Sequence, residues 1–121
     1  MEFEYKKKEN LIDRKTQCER ILKQYPGKIP IICEKDPACK IKPIEKTKFL
    51  INENFTVQQF LDLIRTKLKL QEKEALFIFF SDKRPTIATS DRTISDVYQN
   101  FKDPNDGYLY AIYSSQEIWG N

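Results

Sequence analysis

The apolar and polar positions along this 121-residue chain follow two different periodicities. Apolar residues three and four positions apart predict helices in residues 1–25, in two pieces, and again after Thr56 and Thr93. Short apolar runs of β-branched and aromatic residues predict four strands. These are residues 29–33, 48–51, 75–80 and 108–113. The predicted order is therefore helix, helix, strand, strand, helix, strand, short helix and strand.

Residues that commonly begin and end helices support these boundaries. Asn10 is a good N-cap for the second helix, and Asp13 lies in its first turn. Thr56 followed by Gln59 forms a capping box at the start of the third helix. The run Tyr25-Pro-Gly27 ends the second helix.

Two helices carry an apolar face that predicts packing against a sheet. In the second helix this face consists of Leu11, Cys18, Ile21, Leu22 and Tyr25. In the third helix it consists of Val57, Phe60, Leu61, Ile64 and Leu68. Pro30 predicts that the first strand ends or lies at an edge, because proline donates no backbone hydrogen bond. The apolar run 75–80 predicts a buried central strand, and residues 34–47 and 81–92 are expected to be loops.

Two strands, a helix and two more strands indicate an α+β layer of the ubiquitin-like β-grasp type, with a four-stranded sheet and a central helix. Two N-terminal helices are added to it, although the pattern by itself fits several α+β folds. The length is that of a single domain. We expect an N-terminal helical extension at 1–25, the β-grasp at 26–115 and a flexible C-terminal tail at 116–121.

Composition argues against several classes of function. The chain has no histidine, which excludes Ser-His-Asp and Cys-His catalysis, and its three cysteines have no metal-site or disulfide-framework spacing. We therefore expect no enzyme, no metal and no cofactor, in a reducing, cytoplasmic setting. A net charge of +3 does not require a nucleic-acid partner, and no apolar run reaches the roughly 20 residues of a membrane span.

Basic residues concentrate in two parts of the chain. One cluster runs through the first quarter, from Lys6 to Lys23, and the other consists of Lys40, Lys42, Lys46 and Lys48. Each cluster is either a solvated surface or a docking surface for acidic peptides, anionic lipid or an acidic protein.

The last two residues, Gly120 and Asn121, are compatible with enzymatic processing of the chain end. Glycine has no side chain to shield its carbonyl carbon, so it suits a chain end that must enter a narrow enzyme cleft. That use requires removal of Asn121 first.

Several stretches together resemble the autophagy-related protein 8 family of ubiquitin-like modifiers. They run in the same order along nearly the whole chain. The matching stretches are 3–6, 25–35, 48–51, 55–60, 63–65, 75–79, 97–99, 107–110 and 119–120. The resemblance implies the β-grasp with two N-terminal helices. It also implies that a cysteine protease removes Asn121, after which E1-like and E2-like enzymes transfer Gly120 to phosphatidylethanolamine on autophagic or related membranes.

The resemblance further implies a face that binds cargo receptors and adaptors through an aromatic-x-x-aliphatic segment, added as a strand along residues 48–51. The implied first pocket, for the aromatic side chain, consists of Gln17, Ile21, Pro30, Ile32, Lys48, Leu50 and Tyr108. The implied second pocket, for the aliphatic side chain, consists of Phe49, Ile51, Phe55, Phe60 and Leu63. Lys28, Lys46 and Lys48 are implied to meet acidic residues that flank the motif.

Core packing is the alternative role for Phe60 and Leu63. This chain also departs from the family pattern at Gln17, where relatives commonly have glutamate, and at Asn52, where proline is frequent. Two other functions remain open. One is an unlipidated soluble adaptor that binds acidic trafficking or cytoskeletal proteins through its basic N-terminal helices, and the other is a thiol transferase.

Overall fold

The computed structural model describes residues 1–115 of the chain. Within them the helices are α1 (Glu4–Lys8), α2 (Leu11–Gln24), α3 (Val57–Leu68) and α4 (Ile94–Phe101). The strands are β1 (Lys28–Lys35), β2 (Lys48–Asn52), β3 (Phe77–Phe80), β4 (Thr86–Ile87) and β5 (Leu109–Ser114). The predicted tail at 116–121 lies outside the described residues.

The five strands form one mixed sheet in the order β2-β1-β5-β3-β4. β1 and β5 run parallel, whereas the other neighbouring pairs are antiparallel. This confirms the α+β ubiquitin-like class with two N-terminal helices. The sheet has one strand more than the four predicted, because Thr86 and Ile87 pair with Phe80 and Phe79 inside the expected loop 81–92.

Each face of the sheet has its own apolar core. The core under α3 contains alternate residues of the central strands, namely Ile29, Ile31, Cys33, Ile78, Phe80, Leu109, Ala111 and Tyr113. The core under α1 and α2 contains the residues between them, namely Ile32, Phe79, Tyr108, Tyr110 and Ile112, together with Phe3, Tyr5 and Cys18. Since successive side chains of a strand point to opposite faces, two covered faces explain why β5 is buried along its whole length.

The predicted helix caps are confirmed. The Asn10 side chain accepts a hydrogen bond from the Asp13 N–H at 2.9 Å. At the start of α3, Thr56 Oγ1 accepts from the Gln59 N–H at 3.1 Å, and Gln59 Oε1 accepts from the Thr56 N–H at 2.8 Å. Side chains therefore satisfy two of the four free N–H donors of this helix end. The other two, on Val57 and Gln58, donate to the C=O groups of Arg92 and Ser90.

The prediction that Pro30 marks a strand end or an edge is wrong, because β1 lies between β2 and β5. Pro30 pairs with Leu50 of β2, and the parallel pairing with β5 begins one residue later, at Ile31. The missing N–H therefore falls at a position where neither neighbouring strand needs a donor.

The predicted apolar face of α2 also needs correction. Leu11, Leu22 and Tyr25 of the predicted apolar face of α2 are 44%, 36% and 42% exposed. The side of α2 that faces the protein is instead formed by Arg14, Gln17, Cys18 and Ile21, and an apolar pattern cannot detect its two polar members. The run 75–80 contains β3, which is buried and interior as predicted, although β5 and not β3 is the middle strand of the sheet.

Candidate functional site

β2 forms one end of the sheet as far as the structure describes the chain, and it pairs with β1 alone. In an antiparallel pair, alternate residues direct their N–H and C=O groups toward the partner strand. The Cys33 N–H donates to the Thr47 C=O at 2.7 Å, which identifies the bonded positions. By alternation Phe49 and Ile51 also bond to β1, and Lys48 and Leu50 direct their backbone groups away from the sheet.

The residues of the first predicted pocket lie together on the face of the sheet that α1 and α2 cover. Pro30, Ile32 and Tyr108 are buried and form its floor. Gln17 and Ile21 are half-buried on α2, whereas Lys48 is exposed and Leu50 is 38% exposed on the open strand. The set therefore combines a buried apolar floor with an accessible rim.

Tyr5 of α1 contacts three residues of this set, Gln17, Lys48 and Tyr108, and the sequence did not predict its part in the site. Its hydroxyl donates to Gln17 Oε1 at 3.1 Å and lies within hydrogen-bond distance of Tyr108 Oη, at 3.2 Å. The Lys48 ammonium lies 4.8 Å from the centre of its ring, close enough for a cation–π contact. Burial raises the pKa of Tyr5, so the hydroxyl keeps its proton at neutral pH. A peptide that displaced Tyr5 from this position would therefore have to break these three contacts.

The residues of the second predicted pocket lie on the opposite face, which α3 covers. Phe60 is completely buried and Ile51 is 5% exposed, so both belong to the core. Phe49, Phe55 and Leu63 are half-buried at its margin. The Phe49 ring packs edge-on against the Phe60 ring at 5.9 Å between centroids. The accessible part of this set is therefore an apolar surface formed by its three outer members.

The three lysines expected to meet acidic residues do not converge on one point. Lys28 is exposed at the start of β1, at the far end of the strand pair from Lys48. Lys48 lies over Tyr5, while Lys46 lines a groove on the side of α3 together with Lys67 and Lys69.

A buried ion pair holds α2 on the sheet, and no sequence pattern predicted it. Arg14 Nε donates to Asp106 Oδ2 at 2.9 Å, and the Tyr110 hydroxyl donates to the same oxygen at 2.6 Å. The Tyr108 N–H donates to Asp106 Oδ1 at 2.9 Å. The guanidinium also donates to the Glu9 C=O at 2.7 Å. These bonds set the position of the helix that carries Gln17 and Ile21.

Carboxylates also hold the N-terminal segment in place. The backbone N–H groups of Glu4 and Tyr5 donate to the buried Glu34 carboxylate at 2.8 and 3.1 Å. Lys6 Nζ bonds to Asp103 at 2.7 Å and to Asp82 at 2.5 Å. Burial alone would raise the pKa of Asp103, but the Lys6 ammonium and two backbone N–H groups hold it below its ordinary value.

The three thiols differ in their surroundings. Cys18 and Cys33 are buried core residues, as expected, and burial raises the pKa of Cys18 to about 12. Burial would also raise the pKa of Cys39, but hydrogen bonds from the Ser115 hydroxyl and from the Ile41 and Ser115 N–H groups lower it. Cys39 is nevertheless only 4% exposed.

Gly120 and Asn121 lie outside the described residues. Residues 1–115 contain no cluster of cysteine and carboxylate side chains arranged to hold a metal ion. Over the same residues, no helix is both long and apolar enough to cross a membrane.

Comparison with known proteins adds to this geometry. Residues 13–120 match the family described as "Autophagy protein Atg8 ubiquitin like". The chain is 38% identical over 120 residues to "Autophagy-related protein 8" of Mycosarcoma maydis, covering 99% of this chain and 98% of that protein. It is 37% identical over 121 residues to the protein of that name from Coccidioides immitis, covering all of both chains. Its structure is similar to the crystal structure of Trypanosoma brucei ATG8, with a TM-score of 0.85, 31% identity and coverage of 94% and 95% of the two chains.

Proposed function

Because this chain belongs to the autophagy protein Atg8 family of ubiquitin-like proteins, we propose that it is a modifier joined to phosphatidylethanolamine through Gly120. In this function the open edge of β2 recruits motif-bearing cargo receptors and adaptors to autophagic or related membranes. The protein thus alternates between a cytoplasmic and a membrane-bound form. The single observation that carries the proposal is the backbone of Lys48 and Leu50, which no strand within residues 1–115 pairs with and which lies between two accessible apolar surfaces.

A peptide strand that pairs with β2 would bond to these two residues and gain most of its affinity from backbone contacts. Successive side chains of such a strand point to opposite faces of the sheet, so residues three apart also point to opposite faces. An aromatic-x-x-aliphatic segment has this odd spacing. It therefore places its aromatic side chain near Ile21 and Leu50 and its aliphatic side chain near Phe49 and Leu63.

A binding titration with a peptide of this type tests the proposal. Leu50 and Ile87 make a matched pair, since both are exposed apolar residues on edge strands at opposite ends of the sheet. We expect Leu50→Ala to weaken binding by roughly tenfold through lost apolar contact, whereas Ile87→Ala leaves the affinity unchanged. Equal effects of the two substitutions would show that the peptide does not use β2.

The proposed conjugation follows from the chemistry of the chain end. Removal of Asn121 by a cysteine protease exposes the Gly120 carboxylate, which E1-like and E2-like enzymes activate for attack by the lipid amine. The product is an amide bond to a lipid with two acyl chains. Each buried CH₂ contributes about 0.8 kcal/mol, and two chains suffice for stable anchoring. A soluble domain is thereby attached to a membrane without a spanning helix.

A reconstituted reaction with the protease, both enzymes and vesicles containing phosphatidylethanolamine tests this step. We expect mass spectrometry to find a lipid adduct on a chain that ends at Gly120. The Gly120→Ala variant should remain unmodified, while Ser115→Ala serves as a control outside the cleavage site. Lipid attachment to the Gly120→Ala chain, or an intact Asn121 in the wild type, would contradict the proposal.

The contacts of the described residues argue against the two other hypotheses, the soluble adaptor and the thiol transferase. Lys6 and Arg14 of the N-terminal basic cluster are engaged in internal ion pairs, so an adaptor function would rest on the remaining exposed lysines and Arg20. A thiol transferase needs an accessible thiolate, whereas all three thiols are buried. We therefore propose that the protein is a modifier and is not itself an enzyme.

A further inference from the structure

Four lysines line one groove between the connection that follows β1 and the end of α3. The groove has a volume of about 440 Å³, and we call it the lysine groove. Its lining residues are Lys42, Pro43, Ile44, Glu45, Lys46, Lys67, Leu68 and Lys69. All four lysines are exposed, and none forms an ion pair within the part of the chain that the structure describes. Glu45 is the one carboxylate in this lining, so the groove carries an excess of positive charge.

The lysine groove lies where β5 leaves the sheet. The Tyr113 hydroxyl accepts a hydrogen bond from the Ile44 N–H at 2.9 Å and donates to the Lys42 C=O at 3.4 Å. One wall of the groove therefore contacts the end of the last strand. Gly120 follows Ser115 by five residues, which span at most about 18 Å. A membrane bound through Gly120 would thus come within reach of the groove.

We propose that the lysine groove binds the anionic headgroups of the membrane to which the chain is conjugated. This inference rests on the proposed conjugation through Gly120. The ammonium groups donate hydrogen bonds to phosphate and carboxylate oxygens of the lipids, and each lysine near such a surface strengthens binding several-fold. Since phosphatidylethanolamine already anchors the chain, the groove sets the orientation of the bound protein.

A membrane surface fits this groove better than an acidic peptide does. Lys42 and Lys46 belong to a connection, and Lys67 and Lys69 belong to the end of a helix, so the positive charge is spread over two separate elements. A charged bilayer meets all four lysines at once, whereas a peptide that pairs with β2 follows a strand that contributes no residue to the groove.

Vesicle flotation with the full, unconjugated chain tests the inference. The vesicles contain either phosphatidylcholine alone or phosphatidylcholine mixed with phosphatidylserine. The groove variant carries Lys→Gln at residues 42, 46, 67 and 69. The control variant carries Lys8→Gln, Lys15→Gln, Arg20→Gln and Lys23→Gln, and these four residues are also exposed. Both variants lose four positive charges, so a difference between them reports position and not net charge.

We expect the wild type to float with the phosphatidylserine vesicles and not with neutral ones, and to be released by salt. The groove variant should lose at least roughly tenfold in partition coefficient, while the control variant keeps most of its binding. Thermal unfolding of the three chains confirms that all are folded.

Equal losses in the two variants, or equal binding to both types of vesicle, would overturn the inference. A groove variant that floats normally but binds an acidic motif peptide more weakly would overturn the inference. It would show instead that the groove binds acidic residues flanking the peptide motif. Because flotation uses no conjugating enzyme, a failure of lipid conjugation would leave its result intact. The two proposals are therefore tested separately.

Discussion

Replacing Asp106 by asparagine is expected to destabilise the protein strongly, because this carboxylate holds α2 on the sheet. Its side chain is completely inaccessible and accepts hydrogen bonds from Arg14, Tyr110 and the Tyr108 N–H. Asparagine keeps an acceptor for Tyr108 but presents an amide N–H₂ group toward the guanidinium. Arg14 is then left without its counter-ion, at a position where its side chain is 11% exposed.

The size of the effect follows from these contacts. Removal of one partner of a buried ion pair costs about 3–5 kcal/mol. Arg14 keeps its hydrogen bond to the Glu9 C=O, and the Tyr110 hydroxyl can turn to accept from the new amide. We therefore expect the lower end of the range, about 3 kcal/mol. An affinity loss for the motif peptide should accompany it, since α2 carries Gln17 and Ile21.

Urea unfolding of the variant and of Asp96→Asn measures this cost. Asp96, in the first turn of α4, pairs with Arg92 just before the helix in a solvent-accessible ion pair, so the same substitution there should cost less than about 0.5 kcal/mol. With a slope of about 2 kcal/mol per molar urea, the Asp106→Asn midpoint should fall by about 1.5 M. A loss below about 1 kcal/mol, or one equal to that of Asp96→Asn, would refute the assigned role of the ion pair.

Two further predictions concern the N-terminal contacts and the turn before β5. The pKa of Asp103 is lowered in the folded protein, against the effect of burial, mainly by its bond to Lys6. The ionised carboxylate therefore stabilises the fold fully at pH values above the ordinary aspartate pKa. This stabilisation is lost as the pH falls through the lowered pKa. In acid titrations of unfolding free energy, Asp103→Asn should therefore flatten the decline below about pH 4, and an unchanged curve would contradict this. Gly107→Ala should cost about 2 kcal/mol, because Gly107 has a φ of +88° and a new Cβ would lie 3.1 Å from Cys18 Sγ. Gly27→Ala is the control, because Gly27 has a similar φ of +82° but a new Cβ there would have no atom within 4 Å. It should therefore destabilise the protein less than Gly107→Ala. Equal losses would show that the contact with Cys18 does not contribute.

Local signals in the sequence predicted the elements of the fold well. The side-chain caps at Asn10 and Thr56 lie three residues from the N–H groups they accept from, so a short window contains the whole interaction. The alternating exposure along β2 likewise follows from the alternation of successive side chains between the two faces of a strand. Strand order could not be predicted in this way, because β5 pairs with β1 across more than 70 residues.

The contacts that shape the candidate site are mostly long-range and polar. Arg14 and Asp106 are 92 residues apart. Each is a charged residue, a type that is usually found at the surface, so neither indicates by itself that it is buried. Tyr5 and Tyr108 are 103 residues apart. β4 escaped prediction because a two-residue strand next to a proline has no periodicity to detect. The resemblance to a family supplied the pocket residues, whereas the contacts explain which of them are buried and which are accessible.

The most direct test of the account is residue-by-residue amide hydrogen exchange in the full chain, with and without an aromatic-x-x-aliphatic peptide. If β2 is an open edge, the amides of Phe49 and Ile51 exchange slowly in the free protein, while those of Lys48 and Leu50 exchange quickly. Peptide binding should slow Lys48 and Leu50 selectively. A Leu50 amide that is already protected in the free chain, or that is unaffected by bound peptide, would contradict the open-edge account.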